Sequence, residues 1–290
     1  ENMQALKKYF LALDDVKKEL SPIAKRMAKD NTIVVLVCNM GQSDLLMNFA
    51  CSNKAKGLDA SNILVFATDQ HTYDVATGMG LAAFYDEANF GDMPEKEAGT
   101  YGDRIFSKMM FAKVVPVQLL NMLGYDVLFQ DADVVWLRPD VWDAVYAPAT
   151  DSAWMDDGVR TDRFAPFFAN SGFYLLRATW RSELLLAHLL NSYSVVISRQ
   201  SHQAVLNPAL AEANAMAGLS VSILDPDVVV NGGARNKVRA DLRSGARRVA
   251  VFHVNFTGGT AEKREALRGL GLWFLREGCD VAEDAAACLP

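Results

Sequence analysis

From Thr32 to Cys38 the chain reads Thr-Ile-Val-Val-Leu-Val-Cys, an uncharged run whose β-branched content predicts a strand buried on both faces. Upstream, Met3, Leu6, Phe10, Leu13 and Leu20 recur at helical spacing. Ser21-Pro22 then reads as an N-cap and first residue that restart a short helix to about Lys29. Downstream, a Gly-containing turn leads into a predicted helix from Ser43 to Lys56, with Gly57 as its stop. The unit then repeats as a strand over 62–68, a short helix from His71 to Met79 and a strand over 82–85. Strand and helix alternating in this way imply a largely parallel sheet with crossover helices. Residues 86–102 are acidic, carry glycines and a proline, and read as a loop. Asp103 is placed to cap a long helix to Gly124, kinked at Pro116, and a strand over 126–130 delivers the chain to Asp131.

The second half is less regular. Phe167 to Leu176 predicts a strand interrupted at Asn170-Ser171-Gly172. Helices are expected over 179–192 and 200–213, and strands over 221–224 and 249–254. Residues 231–248 are Gly-rich and strongly basic, with Arg235, Lys237, Arg239, Arg243, Arg247 and Arg248. No internal repeat, low-complexity linker or break in composition divides the chain. The expectation is one α/β domain over 31–275, preceded by a helical segment over 1–30 and followed by a tail over 276–290.

At 290 residues, 51% hydrophobic and 22% charged, the chain has the material for one large core and is not disordered. A net charge of −6 gives no general reason to expect nucleic acid or a membrane surface as partner. No apolar run approaches the roughly 18 residues of a membrane helix. The chain begins at Glu1 rather than Met, so any leader or anchor is expected upstream of it. Cys38, in a predicted strand, and Cys51, in a predicted helix, read as free core thiols. Cys279 and Cys288 flank a short C-terminal segment and leave open a disulfide in an oxidising compartment or two free thiols.

Candidate chemistry gathers at two places. Asp131-Ala132-Asp133 follows a buried strand, and in extended backbone residues i and i+2 point to one face. Two close carboxylates repel each other unless a cation lies between them, and Mg²⁺ or Mn²⁺ resolves that conflict while accepting oxygens from a diphosphate. The carboxyl end of a parallel sheet is also where ligands collect. The second place is His253, at the end of an apolar strand, followed by Gly258, Gly259 and Lys263. These could supply a metal ligand, a close backbone approach and a phosphate contact. An imidazole beside two carboxylates tilts the expected ion from Mg²⁺ towards Mn²⁺. The sequon Asn255-Phe256-Thr257 falls inside this second motif and reads as incidental. A different chemistry fits the triplet alone: in a phosphatase of the haloacid dehalogenase type, Asp131 would attack phosphate and Asp133 would act as acid and base. That motif normally opens its domain, whereas here several strand–helix units precede it.

The stretch from Leu123 through Asp131-Ala132-Asp133 and Trp136 to Pro139 resembles the nucleotide-diphospho-sugar transferase family of eukaryotes. That family includes plant arabinosyl- and xylosyltransferases and protist α-galactosyltransferases. The resemblance runs from about Thr32 to Trp273. It implies a single-domain GT-A fold, a mostly parallel, Rossmann-like central sheet flanked by helices, and transfer with retention of anomeric configuration. Asp131 and Asp133 fall on the family's metal pair, and His253 through Lys263 on its C-terminal His…Gly…Lys element. Phe168 to Phe173 resembles the sugar-site strand, and Lys113 a basic position before the metal pair. A UDP-sugar donor carrying galactose, xylose or arabinose, a glycan or glycoprotein acceptor and a Mn²⁺ (or Mg²⁺) cofactor are implied.

By the same resemblance the nucleoside lies near Cys38, Asn39 and Asp69, with Lys113 close by, and Asn170 and Gln203 position the sugar. Related retaining transferases carry an Asp-Gln pair on the donor sugar; this chain has His202-Gln203, so His202 stands where the acid is expected. A non-catalytic sugar-binding relative is the alternative that this departure raises. Asp156-Asp157 either supplies a carboxylate to the sugar, through Asp157, or is a polar turn before Gly158. The basic 231–248 segment is a solvated surface loop, an element ordered over the donor, or a receiver for an acidic acceptor. The expected location is the Golgi or secretory-pathway lumen, as the ectodomain of a type II membrane protein whose anchor lies outside this chain.

Overall fold

A computed structural model of the chain describes residues 2–91, 93, 109–110, 112–158, 168–199 and 201–276. The first expectation it changes is at the N-terminus, where one continuous helix, α1 (Asn2–Met27), replaces two. Pro22 lies inside α1 on its exposed side, where water can take the carbonyl that the ring releases. Leu6, Tyr9, Val16, Leu20 and Ala24 form its buried stripe, whereas Met3 and Phe10, read as part of the apolar face, are exposed.

β1 (Thr32–Cys38) is buried at every position. After it come α2 (Ser43–Lys56), β2 (Ile63–Ala67), α3 (Gln70–Gly78) and β3 (Ala82–Tyr85). Gly57, at φ +64°, closes α2 in the left-handed region. A short helix, α4 (Glu87–Phe90), capped by Asp86, occupies the start of the expected 86–102 loop. Most of that loop, and the start of the helix expected from Asp103, lie outside the described residues. Met109, Met110 and Ala112 are helical, Lys113 is a turn residue whose N–H still donates to Met109 O at 3.2 Å, and α5 (Val114–Met122) follows, so the expected long helix is interrupted just before Pro116. β4 (Asp126–Gln130), β5 (Val134–Trp136), α6 (Val141–Tyr146), β6 (Ser152–Asp156) and β7 (Ala169–Leu176) follow. Then come α7 (Trp180–Asn191), α8 (Tyr193–Arg199), α9 (Gln203–Ala217), β8 (Val221–Ile223) and β9 (Val229–Asn231). α10 (Arg235–Ser244), β10 (Val251–His253) and α11 (Thr260–Leu270) complete the order. The basic segment is thus a helix rather than a loop, because Val238 gives it a buried anchor.

Two sheets result. The larger has the order β3-β2-β1-β4-β7-β6-β8 and the smaller β5-β10-β9. β3, β2, β1 and β4 run parallel, β7 is antiparallel to both β4 and β6, and β8 is parallel to β6. β10 pairs antiparallel with β5 and parallel with β9. Alternate residues of β1 feed two cores. Val34, Leu36 and Cys38 pack with α2, α3 and the small sheet, and Ile33, Val35 and Val37 pack with α1, α5, α7 and α9. That double burial explains why β1, β2 and β4 read as unbroken apolar runs. Cys38 and Cys51 are buried thiols, as expected, whereas Cys279, Cys288 and the tail lie outside the described residues.

β7 is one strand, but its register against β6 slips: Trp154 faces Tyr174 and Met155 faces Asn170. The expected interruption is therefore a bulge at 171–173, which frees that segment to face the β4 side.

Candidate active site

Asp131 and Asp133 do not project from extended backbone. They lie in the turn that carries the chain from β4 in the large sheet to β5 in the small one, closed by Val134 N–H donating to Asp131 O at 3.3 Å. The carboxylates converge because the chain changes sheets there. Asp131 N–H donates to Gly172 O at 2.8 Å, tying the turn to the bulge of β7. On the other side β10 places His253 opposite Val134, and Val254 N–H donates to Asp133 O at 3.1 Å.

His253 Nε2 lies 3.2 Å from Asp133 Oδ1 and 3.8 Å from Asp131 Oδ2. One ligand atom from each of Asp131, Asp133 and His253 falls within 4.8 Å of the others. Two lysines stand at the same carboxylates: Lys113 Nζ at 2.6 Å from Asp131 Oδ1 and Lys263 Nζ at 2.9 Å from Asp133 Oδ2. Burial by itself would push the Asp133 carboxyl up, but the Lys263 ammonium and His253 outweigh it and hold the group well below the usual carboxylate range. Burial likewise disfavours the Lys263 ammonium, and Asp133 reverses that effect, so its pKa is raised. Both groups are charged at neutral pH.

Space for a cation exists because of Gly172. A Cβ there would lie 2.4 Å from His253 Cε1, 2.7 Å from Asp131 Oδ2 and 3.0 Å from Asn170 Oδ1. Two carboxylates and one imidazole around that gap suit a divalent ion such as Mn²⁺ or Mg²⁺.

A cavity of about 620 Å³ opens over this cluster. It is lined by Asn39, Lys113, Asp157, Asn170, Gln203 and Lys263 among others, so most of the side chains expected at a site do meet. Asn170 Nδ2 donates to Asp157 Oδ1 at 2.6 Å, and Gln203 Oε1 accepts from Ser171 N at 2.9 Å. Burial pushes the Asp157 carboxyl up, opposed by hydrogen bonds from Asn170 and Gln203. Gly258 and Gly259 line the cavity, but Gly258 N–H already donates to Glu262 Oε2 at 2.7 Å. The side chain of Asn255 is used within the fold, its Oδ1 accepting from Gly232 N–H at 2.6 Å.

Three expected residues stand outside the lining. His202 lies behind the bulge, against Trp154, Tyr174 and Leu206, where burial lowers its pKa to about 3 and keeps the ring neutral. Its neighbours Ser201 and Gln203 face the cavity in its stead. Cys38 is buried, and its thiol donates to Asn39 O at 3.3 Å. Asp69 caps α3 by accepting from Thr72 N–H at 2.7 Å, and its other oxygen accepts from Met40 N–H at 2.9 Å. Asp69→Ala should therefore lower stability by about 1–2 kcal/mol in chemical denaturation and leave Mn²⁺ affinity unchanged. Unaltered stability with lost nucleotide binding would instead make Asp69 a direct ligand contact.

Sequence reading passed over Met109, Met110 and Phe256, which also line the cavity. Phe256 has φ +57°, a conformation that no local motif announced.

A family model described as nucleotide-diphospho-sugar transferase matches residues 59–267. A β-arabinofuranosyltransferase of Arabidopsis thaliana is 26% identical over 269 residues, covering 84% of this chain and 48% of the relative. A UDP-galactose:fucoside α-3-galactosyltransferase of Dictyostelium discoideum is 20% identical over 288 residues, covering 86% and 44%. The chain thus spans about half the length of these relatives. Among solved structures, the bifunctional glycosyltransferase WbbM in its apo form superposes with a TM-score of 0.56 at 13% identity, over 84% of this chain and 50% of that one. The galactosyltransferase LgtC in complex with donor and acceptor sugar analogs gives 0.50 at 14% identity, over 84% and 97%. These likenesses establish the fold, which is of the GT-A type.

Proposed function

Because the chain belongs to the nucleotide-diphospho-sugar transferase family, we propose that it is a metal-dependent glycosyltransferase, moving a sugar from a UDP-sugar to a glycan or glycoprotein acceptor with retention of configuration. The observation that carries this reading is the group of Asp131, Asp133 and His253 on the wall of a cavity large enough for a nucleotide-sugar. Galactose, xylose and arabinose are the candidate sugars; one relative is named for arabinofuranosyl transfer and another for galactosyl transfer. The reading also places the domain in the Golgi or secretory-pathway lumen. Among the described residues, no helix is long and apolar enough to cross a membrane.

Asp131, Asp133 and His253 would hold the ion, which would supply Lewis-acid stabilisation of charge on the departing diphosphate. Lys263 and Lys113, already beside the two carboxylates, add positive charge on the same side of the cavity. In the transfer the bond from the anomeric carbon to the phosphate oxygen breaks, and the acceptor hydroxyl oxygen bonds to that carbon from the same face. The hydroxyl proton passes to the departing phosphate. Asn170, Gln203 and Asp157 orient the sugar; they form one hydrogen-bonded group beside the cluster. Asp157 Oδ1 already accepts from Asn170 Nδ2 at 2.6 Å, which fits a positioning role for this carboxylate.

The test is nucleoside-diphosphate release from a panel of UDP-sugars with Mn²⁺, with and without chelator. Metal-dependent UDP release from one donor supports the reading, and thermal shift should single out the same donor. Phosphate release from simple monoesters would instead make Asp131 a phosphatase nucleophile. UDP binding without turnover on any acceptor would mark a non-catalytic relative.

A further inference from the structure

We propose that the acceptor is an anionic glycan, bearing carboxylates along its chain, and that one flank of α10 receives it next to the cavity; this rests on the transferase reading above. α10 is held through Val238, its only buried residue, and its two flanks differ. On one, Lys237 is paired with Asp227, and Asp241 accepts from the backbone N–H groups of Arg248 at 2.8 Å and Val249 at 3.3 Å. On the other, Arg235, Arg239 and Arg243 stand at i, i+4 spacing, which stacks them along one face over about 12 Å. Among the described residues, no carboxylate lies within ion-pair distance of Arg239 or Arg243, and both are exposed. Two open guanidinium groups beside a third, on a chain of net charge −6, are a local reversal of the molecule's own sign.

The row starts at the cavity. Arg235 Nε donates to Gly232 O at 3.2 Å and its Nη2 to Phe256 O at 3.3 Å. Phe256 lines the cavity, is 53% exposed, and sits at a positive φ that a phenylalanine adopts only when its surroundings impose it. Its ring lies beside Gly233, 3.6 Å from where a Cβ would stand there, which is ordinary van der Waals contact. An exposed aromatic face between the reaction cavity and an arginine row suits a polymer of sugar rings, with an apolar ring face against Phe256 and carboxylates on the guanidinium forks. A bilayer is a poorer match, because α10 offers only Leu242 as a large exposed apolar side chain.

The test compares binding of an oligomer of galacturonic acid with that of an uncharged galactan oligomer of the same length, in the wild type and in Arg239→Gln/Arg243→Gln. The charged oligomer should bind the wild type at least about tenfold tighter than the neutral one, weaken with added salt, and lose about tenfold in the double variant. Affinity for UDP and Mn²⁺ should be the same in both proteins, which controls for folding. Equal binding of the two oligomers, or no change in the double variant, would overturn the proposal. So would variant-sensitive binding to phosphatidylserine vesicles with no preference for the charged oligomer. Oligogalacturonate binding in a protein that releases no UDP from any donor would leave the arginine row standing and sink the transferase. Turnover on neutral acceptors alone, unaffected by the double variant, would do the reverse.

Discussion

Asp133→Asn is expected to eliminate Mn²⁺ binding and to lower donor turnover by at least about a hundredfold while the protein stays folded. Asp133 faces His253 at 3.2 Å and Lys263 at 2.9 Å, so in the proposed site it would serve both the ion and the Lys263 ammonium. Removing its charge takes away one of three ligands. It also leaves Lys263 without its partner, and breaking a buried pair by removing one member typically costs about 3–5 kcal/mol. The 20% exposure of the Lys263 side chain moderates that penalty. Alanine would add a cavity to the lost charge, which is why the isosteric asparagine is the cleaner variant. Mn²⁺ titration followed by electron paramagnetic resonance reads the ligand loss, and thermal denaturation reads the pair. Turnover within about threefold of wild type, with an unchanged response to metal, would reduce Asp133 to a structural counter-ion for Lys263.

The second large effect is expected at a residue with no functional group. Gly172→Ala should depress turnover about a hundredfold and weaken Mn²⁺ binding, with a stability loss of only about 1–3 kcal/mol. The added methyl would meet His253 at 2.4 Å and Asp131 at 2.7 Å, both of them proposed ligands, and neither can retreat freely. His253 is held in β10, and Asp131 is tied to Lys113 at 2.6 Å. Displacing two ligands by a fraction of an ångström spoils a metal site more than it unsettles a sheet. A Gly172→Ala protein with wild-type metal affinity would mean that the cation sits elsewhere, and the triad would lose its assignment.

Much of the N-terminal half of the fold was legible along the chain. The apolar runs of β1, β2 and β4 are long enough, and β-branched enough, to announce strands covered on both faces. Gly57 marked the end of α2, and the helix expected over 179–192 coincides with α7. Short elements were missed. β5, β9 and α6 are brief and lie in mixed sequence, so their conformation comes from the partners they pack on. α10 was read as a loop because its composition is almost wholly polar; a single buried valine holds it. Proline misled once: Pro22 is accommodated on a solvent face.

The sequence by itself determined the class of sheet and the chemical inventory of the site, two aspartates after a buried strand and a histidine and lysine far downstream. Those follow from local periodicity and residue type, which survive without knowledge of contacts. Only the tertiary structure decided how the inventory is used. It turned Asp131 and Asp133 through a sheet-to-sheet crossover instead of along one strand, and it left the gap at Gly172 that a cation needs. It committed Asp69 to a helix cap and turned His202 away from the cavity. Each of these depends on which distant segment arrives alongside, and no pattern confined to a few neighbouring residues carries that information.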